Sequence, residues 1–288
     1  MLRLEHVGRK LGDFELRDIT FTIPDGYICG LIGENGAGKT TLLHLILGLY
    51  PAGTGLVEVD GHRLPQEERA VKDSMGFVLN EKVFTGGMTL AENADFYGKY
   101  YRNYERPLFD GLCGRFGLDG ARRLRKLSKG EKLKFQFAFA LSHHPKLLLL
   151  DEPTASFDPE FRQEFLEIIT AFVADGARSV VLSTHVTEDL DRVADYVVFL
   201  KEGKLVFCKD RGEMENSYRM VSGTAEQISL LPRNRVIWKH LGEYVSRALV
   251  EYGKTPFYEK DLDLEVPSLE DIMYGYSKGG KNDDKTYH

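Results

Sequence analysis

The chain has 288 residues, 42% of them hydrophobic and 28% charged, enough apolar side chain to fill a sizeable core and too much for a disordered chain. Lys and Arg total 38 against 44 Asp and Glu, a formal net charge of −6, which argues against a surface built for nucleic acid. Cys29, Cys113 and Cys208 are far apart and form no CxxC pair, which argues against a disulfide framework or zinc site and suits a reducing compartment.

In chain order, Leu2–Val7 alternates and reads as a strand ending at Gly8. Ile19–Ile23 is β-branched and stops at the turn signal Pro24-Asp25-Gly26. Tyr27–Ile32 is nearly all apolar, as a strand buried on both faces should be. Lys39–Leu47 has helical composition, and Leu56–Asp60 reads as a strand. From about Glu81 to Pro145 the chain turns helical. Tyr97, Tyr100, Tyr101 and Tyr104 fall at i, i+3, i+4 and i+7, which predicts one helix face packed inside a helical subdomain. Glu131–Ser142 reads as a further helix.

The strand–helix rhythm then returns. Leu147–Leu150 reads as a buried strand, and Pro159–Val173 as a helix capped by Asp158. Ser179–Ser183 is a strand, Thr187–Ala194 a helix, and Tyr196–Leu200 and Lys204–Cys208 a hairpin across Glu202-Gly203. Strands alternating with helices predict an α/β layered fold with a helical insertion. Beyond Gly212, Glu243–Glu251 reads as a strand, Pro267–Ile272 as a helix start, and Ser277–His288 as a disordered tail. Met1–His6 shows no charged-then-apolar leader. The apolar runs Leu42–Tyr50 and Lys146–Leu150 fall far short of the roughly 20 residues that span a bilayer, so any membrane role is expected to come through a partner.

Gly33-Glu34-Asn35-Gly36-Ala37-Gly38-Lys39-Thr40 matches GxxxxGK[ST], with a buried strand before it and a helix after it. Glycines let backbone N–H groups wrap a polyphosphate, and the helix N-terminus adds partial positive charge. Lys39 is expected to reach the β- and γ-phosphates, Thr40 to coordinate Mg²⁺, and Thr41 to sit near the α-phosphate. Asp151 and Glu152, at the end of a buried strand, supply a metal-side carboxylate and a carboxylate to orient the attacking water.

With these motifs the chain resembles the nucleotide-binding subunits of ABC transporters. Leu127-Ser128-Lys129-Gly130-Glu131 resembles the LSGGQ signature. Glu152–Asp158 resembles the stretch from catalytic glutamate to D-loop, and Ser183-Thr184-His185 resembles the switch histidine segment. Asn80 stands where the Q-loop glutamine is expected, and Met88–Asn93 resembles the segment that follows. The resemblance covers residues 1–212. It implies a P-loop NTPase with a RecA-like core, an N-terminal antiparallel β-subdomain, a helical subdomain inserted at about 81–145, and a small C-terminal extension at 213–276.

It further implies ATP and Mg²⁺ as cofactors. Glu152 and His185 would be catalytic, and Thr40, Asn80 and Asp151 would lie on the metal side. Ser128, Lys129, Gly130 and Glu131 would close on the ATP of an opposite subunit, and Asp158 would couple the two sites. The partners implied are a membrane-spanning permease, docked near Val83–Gly87, and a second ABC ATPase in a homodimer or heterodimer, with no nucleic acid. That places the chain on the cytoplasmic face of a cell membrane. The segment Pro267–Ile272 resembles the tails of bacterial exporter ATPases, which implies export.

Four departures bear on this. Asn80 is one methylene shorter than Gln, Lys129 replaces glycine, and Glu131 replaces glutamine. Leu11, with Phe14 nearby, stands where an aromatic usually stacks on adenine, which leaves the choice between ATP and GTP open. Two other readings stay open: a nucleotide-gated regulatory ABC protein with little turnover, and an ABC ATPase that works without a membrane. His44, His62, His143 and His144 show no metal-ligand spacing and read as structural or exposed.

Overall fold

The computed structural model describes residues 1–253 and 262–279. The described residues gather into two units, one comprising 1–189 and 193–208, the other 190–192 and the residues from 209 onward.

The first unit is built on a ten-stranded sheet. β1 (Leu2–Leu11), β2 (Phe14–Ile23), β4 (Thr54–Val59) and β5 (His62–Leu64) pair antiparallel at one end. β3 (Ile28–Ile32), β6 (Met75–Val78), β7 (Leu147–Asp151), β8 (Ser179–Ser183) and β9 (Tyr196–Lys201) form a parallel block in the order β9-β3-β8-β7-β6. β10 (Lys204–Asp210) lies between β2 and β9. Every residue of β3, β7 and β8 is buried, which is why these strands read as unbroken apolar runs.

α1 (Lys39–Ile46) follows β3, α2 (Glu68–Asp73) precedes β6, and α6 (Pro159–Val173) and α7 (Thr187–Val193) flank β8. Leu4, Ile19, Leu42, Ile46, Leu149 and Val198 belong to one continuous core. The insertion holds α3 (Leu90–Gly98), α4 (Arg106–Arg115) and α5 (Lys129–Leu141). Its packing is aromatic: Phe109 meets Phe135 edge-on, and Phe116 stacks on Phe137.

Several expectations are corrected. β1 does not stop at Gly8 but continues to Leu11, with register shifts on either side of Val7 that absorb the glycine. The four tyrosines do not share a helix face, because α3 ends at Gly98. A side chain at Gly98 would meet the Tyr104 ring at 2.4 Å, so the chain turns back there and Tyr104 packs onto the glycine. Tyr101 instead stacks on His143 at 3.9 Å, and Tyr100 is 70% exposed. β5, α2 and β6 are short elements that the sequence pattern did not separate.

The second unit has its own antiparallel sheet in the order β12-β13-β11-β14, from β11 (Tyr218–Gly223), β12 (Val236–His240), β13 (Ser246–Glu251) and β14 (Asp263–Glu265). Val221, Ile228, Ala248 and Val250 form its core, and α8 (Arg211–Ser217), α9 (Ala225–Ser229) and α10 (Leu269–Lys278) complete it. α10 runs through Ser277 and Lys278, so the expected tail does not begin there. Residues 280–288 lie outside the described residues.

Candidate nucleotide site

The loop between β3 and α1 takes its shape from three glycines with positive φ: Gly33 at 153°, Gly36 at 81° and Gly38 at 107°. Gly33 has a second constraint, since a Cβ there would lie 2.4 Å from the Leu200 carbonyl oxygen. Gly38 caps α1 without a side chain, so the first N–H groups of the helix have no capping partner and point into the loop. The Lys39 ammonium folds back into this loop and donates to the carbonyls of Gly33 at 2.8 Å and Glu34 at 3.3 Å. Glu34, Asn35 and Gly36 are exposed along the rim. Ala37 is buried, and its N–H donates to the Glu34 carbonyl.

β7 carries Asp151 to the same place. Its carboxylate is buried but fully engaged: the Thr40 hydroxyl donates to Oδ2 at 2.9 Å and the Ser183 hydroxyl to Oδ1 at 2.7 Å. Glu152 follows at φ 47°, a left-handed conformation. Its N–H donates to the Ser183 carbonyl at 2.9 Å, which ties the turn to β8. The Glu152 carboxylate then lies 3.8 Å from the Lys39 ammonium and 3.2 Å from His185 Nδ1. Asn80, just beyond β6, donates from Nδ2 to the Asp151 carbonyl at 3.3 Å. Beside it, Glu81 lies 3.4 Å from Nε2 of the buried His44 on α1.

The structure therefore brings Lys39, Thr40, Asn80, Asp151, Glu152 and His185 together. The oxygen donors fit a hard divalent cation. Thr40 and Asp151 offer a hydroxyl and a carboxylate in contact. Among the described residues there is no cluster of three or more His, Cys, Asp or Glu that could hold a metal ion.

The signature residues lie at the start of α5. Ser128 is the N-cap: its Oγ accepts from the Glu131 N–H at 3.2 Å, and Glu131 returns by accepting from the Ser128 N–H at 2.7 Å. The Glu131 carboxylate also accepts from Arg122 at 2.5 Å. The Ser128 N–H first, and Arg122 with it, hold its pKa below the ordinary range. The negative charge that replaces glutamine is thus spent inside the chain. Lys129 is exposed. Gly130 is where α5 touches the Thr154–Ser156 turn, since a Cβ there would lie 2.5 Å from the Ser156 carbonyl oxygen.

Asp158 caps α6, accepting from the Phe161 N–H at 2.9 Å, and pairs with Lys134 of α5 at 3.2 Å. The cap first, then Lys134, lowers its pKa. Phe14 is partly buried against the main core, and its ring edge lies 2.8 Å from where a Gly38 Cβ would be, so it packs under the phosphate loop.

Two polar residues of this region were missed in the sequence. Ser183 holds Asp151, and Gln136 of α5 binds Leu79 through both amide atoms. Ser183 is hidden because a serine ending an apolar strand looks like any strand terminus. Gln136 did leave a signal, as the single polar residue between Phe135 and Leu141.

The comparisons with known proteins agree with this geometry. The family model described as ABC transporter matches residues 16–155. The chain is 32% identical over 229 residues to the ABC transporter ATP-binding protein NatA of Bacillus subtilis, covering 76% of this chain and 92% of that protein. It is 33% identical to the Nod factor export ATP-binding protein I of Sinorhizobium fredii, over 71% of this chain and 61% of that one. It is 30% identical to the methionine import ATP-binding protein MetN of Protochlamydia amoebophila, over 74% and 64%. Among solved structures, an ATP-binding subunit of an ABC transporter superimposes with a TM-score of 0.69 at 25% identity, over 75% of this chain and 92% of that one. A dimeric ATP-binding cassette in a post-hydrolysis state, bound to ADP and Pi, gives 0.66 at 22% identity over 73% and 98%, and supports the fold. The chain belongs to the ABC transporter family, as one of its ATP-binding ATPase subunits.

Proposed function

We propose that the chain binds Mg²⁺–ATP on the Gly33–Thr41 loop and hydrolyses it when a second ATPase subunit closes the site, and that this cycle drives a membrane-spanning partner. The observation that carries this reading is the position of Glu152, whose carboxylate lies within reach of both Lys39 and His185.

The steps follow from the residues. Lys39 exchanges its two loop carbonyls for the β- and γ-phosphates, and the free N–H groups of α1 hold the phosphate oxygens. Thr40 and Asp151 would hold Mg²⁺, with Asn80 beside them; the cation, when bound, neutralises charge on the phosphate oxygens. Glu152 orients the attacking water and draws on its proton, and His185 fixes the Glu152 carboxylate and faces the γ-phosphate. Ser128 keeps a hydroxyl hydrogen to donate, because among the described residues its Oγ serves only as an acceptor. Offered across the interface by the opposite subunit, Ser128 and the Gly130 N–H would complete the γ-phosphate cradle. Lys129, exposed beside them, adds positive charge, and Asp158 lies next to the same surface.

We assign the translocation path to a separate membrane-spanning polypeptide; among the described residues no helix is long and apolar enough to cross a membrane. The segment Val83–Gly87 is our proposed docking region, on the cytoplasmic face of the membrane. Phe84 is partly buried there, edge-on to Tyr97, Phe135 and Phe139, so the aromatics free for contact are its neighbours Phe96 and Tyr100. We favour export, supported by the likeness to the Nod factor protein; the methionine import protein names the opposite direction.

The test is the solution mass of Glu152→Gln by light scattering, with and without ATP. The expected result is a monomer that becomes a dimer with ATP, and a Lys39→Ala control that does not. A Glu152→Gln protein that binds ATP yet stays monomeric points to a heterodimer with a different ATPase. Wild-type protein that binds ATP without turnover favours the regulatory reading instead.

A further inference from the structure

Gln136 sits in the apolar middle of α5 and is only 6% exposed. Both polar atoms of its side chain bind one residue on another element. The Leu79 N–H donates to Oε1 at 2.9 Å, and Nε2 donates to the Leu79 carbonyl at 2.9 Å. Only this amide orientation satisfies both bonds, because the reverse would set donor against donor. Leu79 lies just past β6, the last strand of the sheet, so its backbone groups have no further strand to pair with. The Gln136 amide stands in for the missing peptide group.

The two ends of this contact belong to different parts of the site. Leu79 is followed by Asn80, held to the Asp151 carbonyl at 3.3 Å. Gln136 lies on the helix that Ser128 caps, about 12 Å along its axis at 1.5 Å per residue. A single rigid helix therefore connects the signature cap to the backbone of the residue before Asn80.

We propose that Gln136 is a positioning residue that clamps the Leu79–Asn80 corner to the signature helix, so that Asn80 is held toward the metal side of the site and moves together with Ser128. This rests on the reading of Asn80 as a metal-side residue. Gln136 touches neither nucleotide nor cation; it acts through Leu79 and Asn80.

The test combines amide hydrogen exchange with a double-mutant cycle on the full chain. In nucleotide-free protein, Gln136→Leu should speed exchange of the Leu79 amide about tenfold or more while the rest of β6 and α5 keeps its protection. In turnover, the same variant should raise the Mg²⁺ concentration for half-maximal activity about tenfold, with KM for ATP nearly unchanged. In an Asn80→Ala background, Gln136→Leu should cost less than about twofold more, because the residue it positions is already gone. Losses that simply multiply would make Gln136 a packing residue and overturn the assignment, as would an unchanged Leu79 exchange rate. If Gln136→Leu does not fold, Gln136→Met is used and judged by the same criteria. Asn80→Ala with unaltered Mg²⁺ dependence also overturns the assignment, while leaving ATP hydrolysis standing. Unmodified protein without turnover would instead sink the functional reading, and this one with it.

Discussion

The Ser183 hydroxyl donates to Oδ1 of Asp151 at 2.7 Å, while the Thr40 hydroxyl donates to Oδ2 at 2.9 Å. A buried carboxylate thus has one oxygen tied to β8 and the other to the first turn of α1. Ser183 fixes the direction in which Asp151 faces Thr40. Replacing it leaves Oδ1 without that donor in a site with little access to water. Ser183→Ala should destabilise the protein by about 1–3 kcal/mol. It should also weaken the Mg²⁺ dependence of turnover more than it weakens ATP binding. Denaturant unfolding and a Mg²⁺ titration of ATPase activity check the two parts. Unchanged stability would mean that water replaces the hydroxyl.

Glu152 holds a left-handed backbone, φ 47°, while its N–H binds the Ser183 carbonyl. That conformation costs a non-glycine residue on the order of 1 kcal/mol. Both Glu152→Ala and Glu152→Gly should abolish turnover. The glycine variant should be the more stable of the pair by about 1 kcal/mol, because only it relieves the backbone. Thermal melts of the two inactive variants decide this; equal melting temperatures would show that the turn relaxes.

Much of this was legible beforehand, for identifiable reasons. The loop from Gly33 to Thr41 announces itself because glycine positions and a lysine–threonine pair are fixed by the shape of a phosphate. α6 and β8 are bounded to the residue, by Asp158-Pro159 at the start of one and by the apolar run Val180–Leu182 between two serines in the other. The tyrosines of 97–104 misled because periodicity carries no information about where a helix ends. The end is set by a tertiary contact, Tyr104 on Gly98. Glu131 is a different case: the sequence shows only a carboxylate in place of glutamine, and its engagement by the Ser128 N–H and Arg122 depends on how the loop before α5 folds.

That engagement has a consequence for Glu131→Gln, which restores the commoner residue. An amide can still accept from the Ser128 N–H, so the cap survives. What is lost is the charge pairing with Arg122 at the surface, which salt already screens. Stability should change by less than about 1 kcal/mol at moderate salt. The loss should shrink further as salt is raised, as unfolding at two ionic strengths would show. A large, salt-insensitive loss would mean that Arg122 depends on this one carboxylate.

Gly130 carries a steric demand rather than an electrostatic one. An added methyl would meet the Ser156 carbonyl oxygen at 2.5 Å, and neither backbone has a flexible end that can yield. Gly130→Ala should therefore push the first turn of α5 away from Thr154–Ser156 and cost about 1–3 kcal/mol. The Lys134–Asp158 pair joins α5 to the N-cap of α6, two residues past the same turn, and should loosen with it. ATP-dependent dimerisation of Glu152→Gln should be lost when Gly130→Ala is added, while ATP binding to the monomer persists. Retained dimerisation would show that the turn moves with the helix.

His143 makes the stability of the fold depend on pH. Its ring is buried against Tyr101, with Nδ1 3.0 Å from the Phe139 carbonyl and Nε2 3.1 Å from the Met75 carbonyl. Burial outweighs the two carbonyls and lowers its pKa from 6.5 to about 4. Above pH 6.5 the ring is neutral whether the chain is folded or not, and it adds no pH dependence. As pH falls below 6.5 the unfolded chain takes up a proton that the folded chain refuses. Folding stability should therefore decline between about pH 6.5 and 4, by roughly 3 kcal/mol at the lower limit. Below about pH 4 the folded ring is protonated too, and this contribution levels off. His143→Gln removes the titrating group, so the difference between variant and wild type in urea unfolding should itself vary with pH. A constant difference from pH 7.5 to 4.5 would show that the imidazole titrates alike in the folded and unfolded chains, and would overturn this prediction.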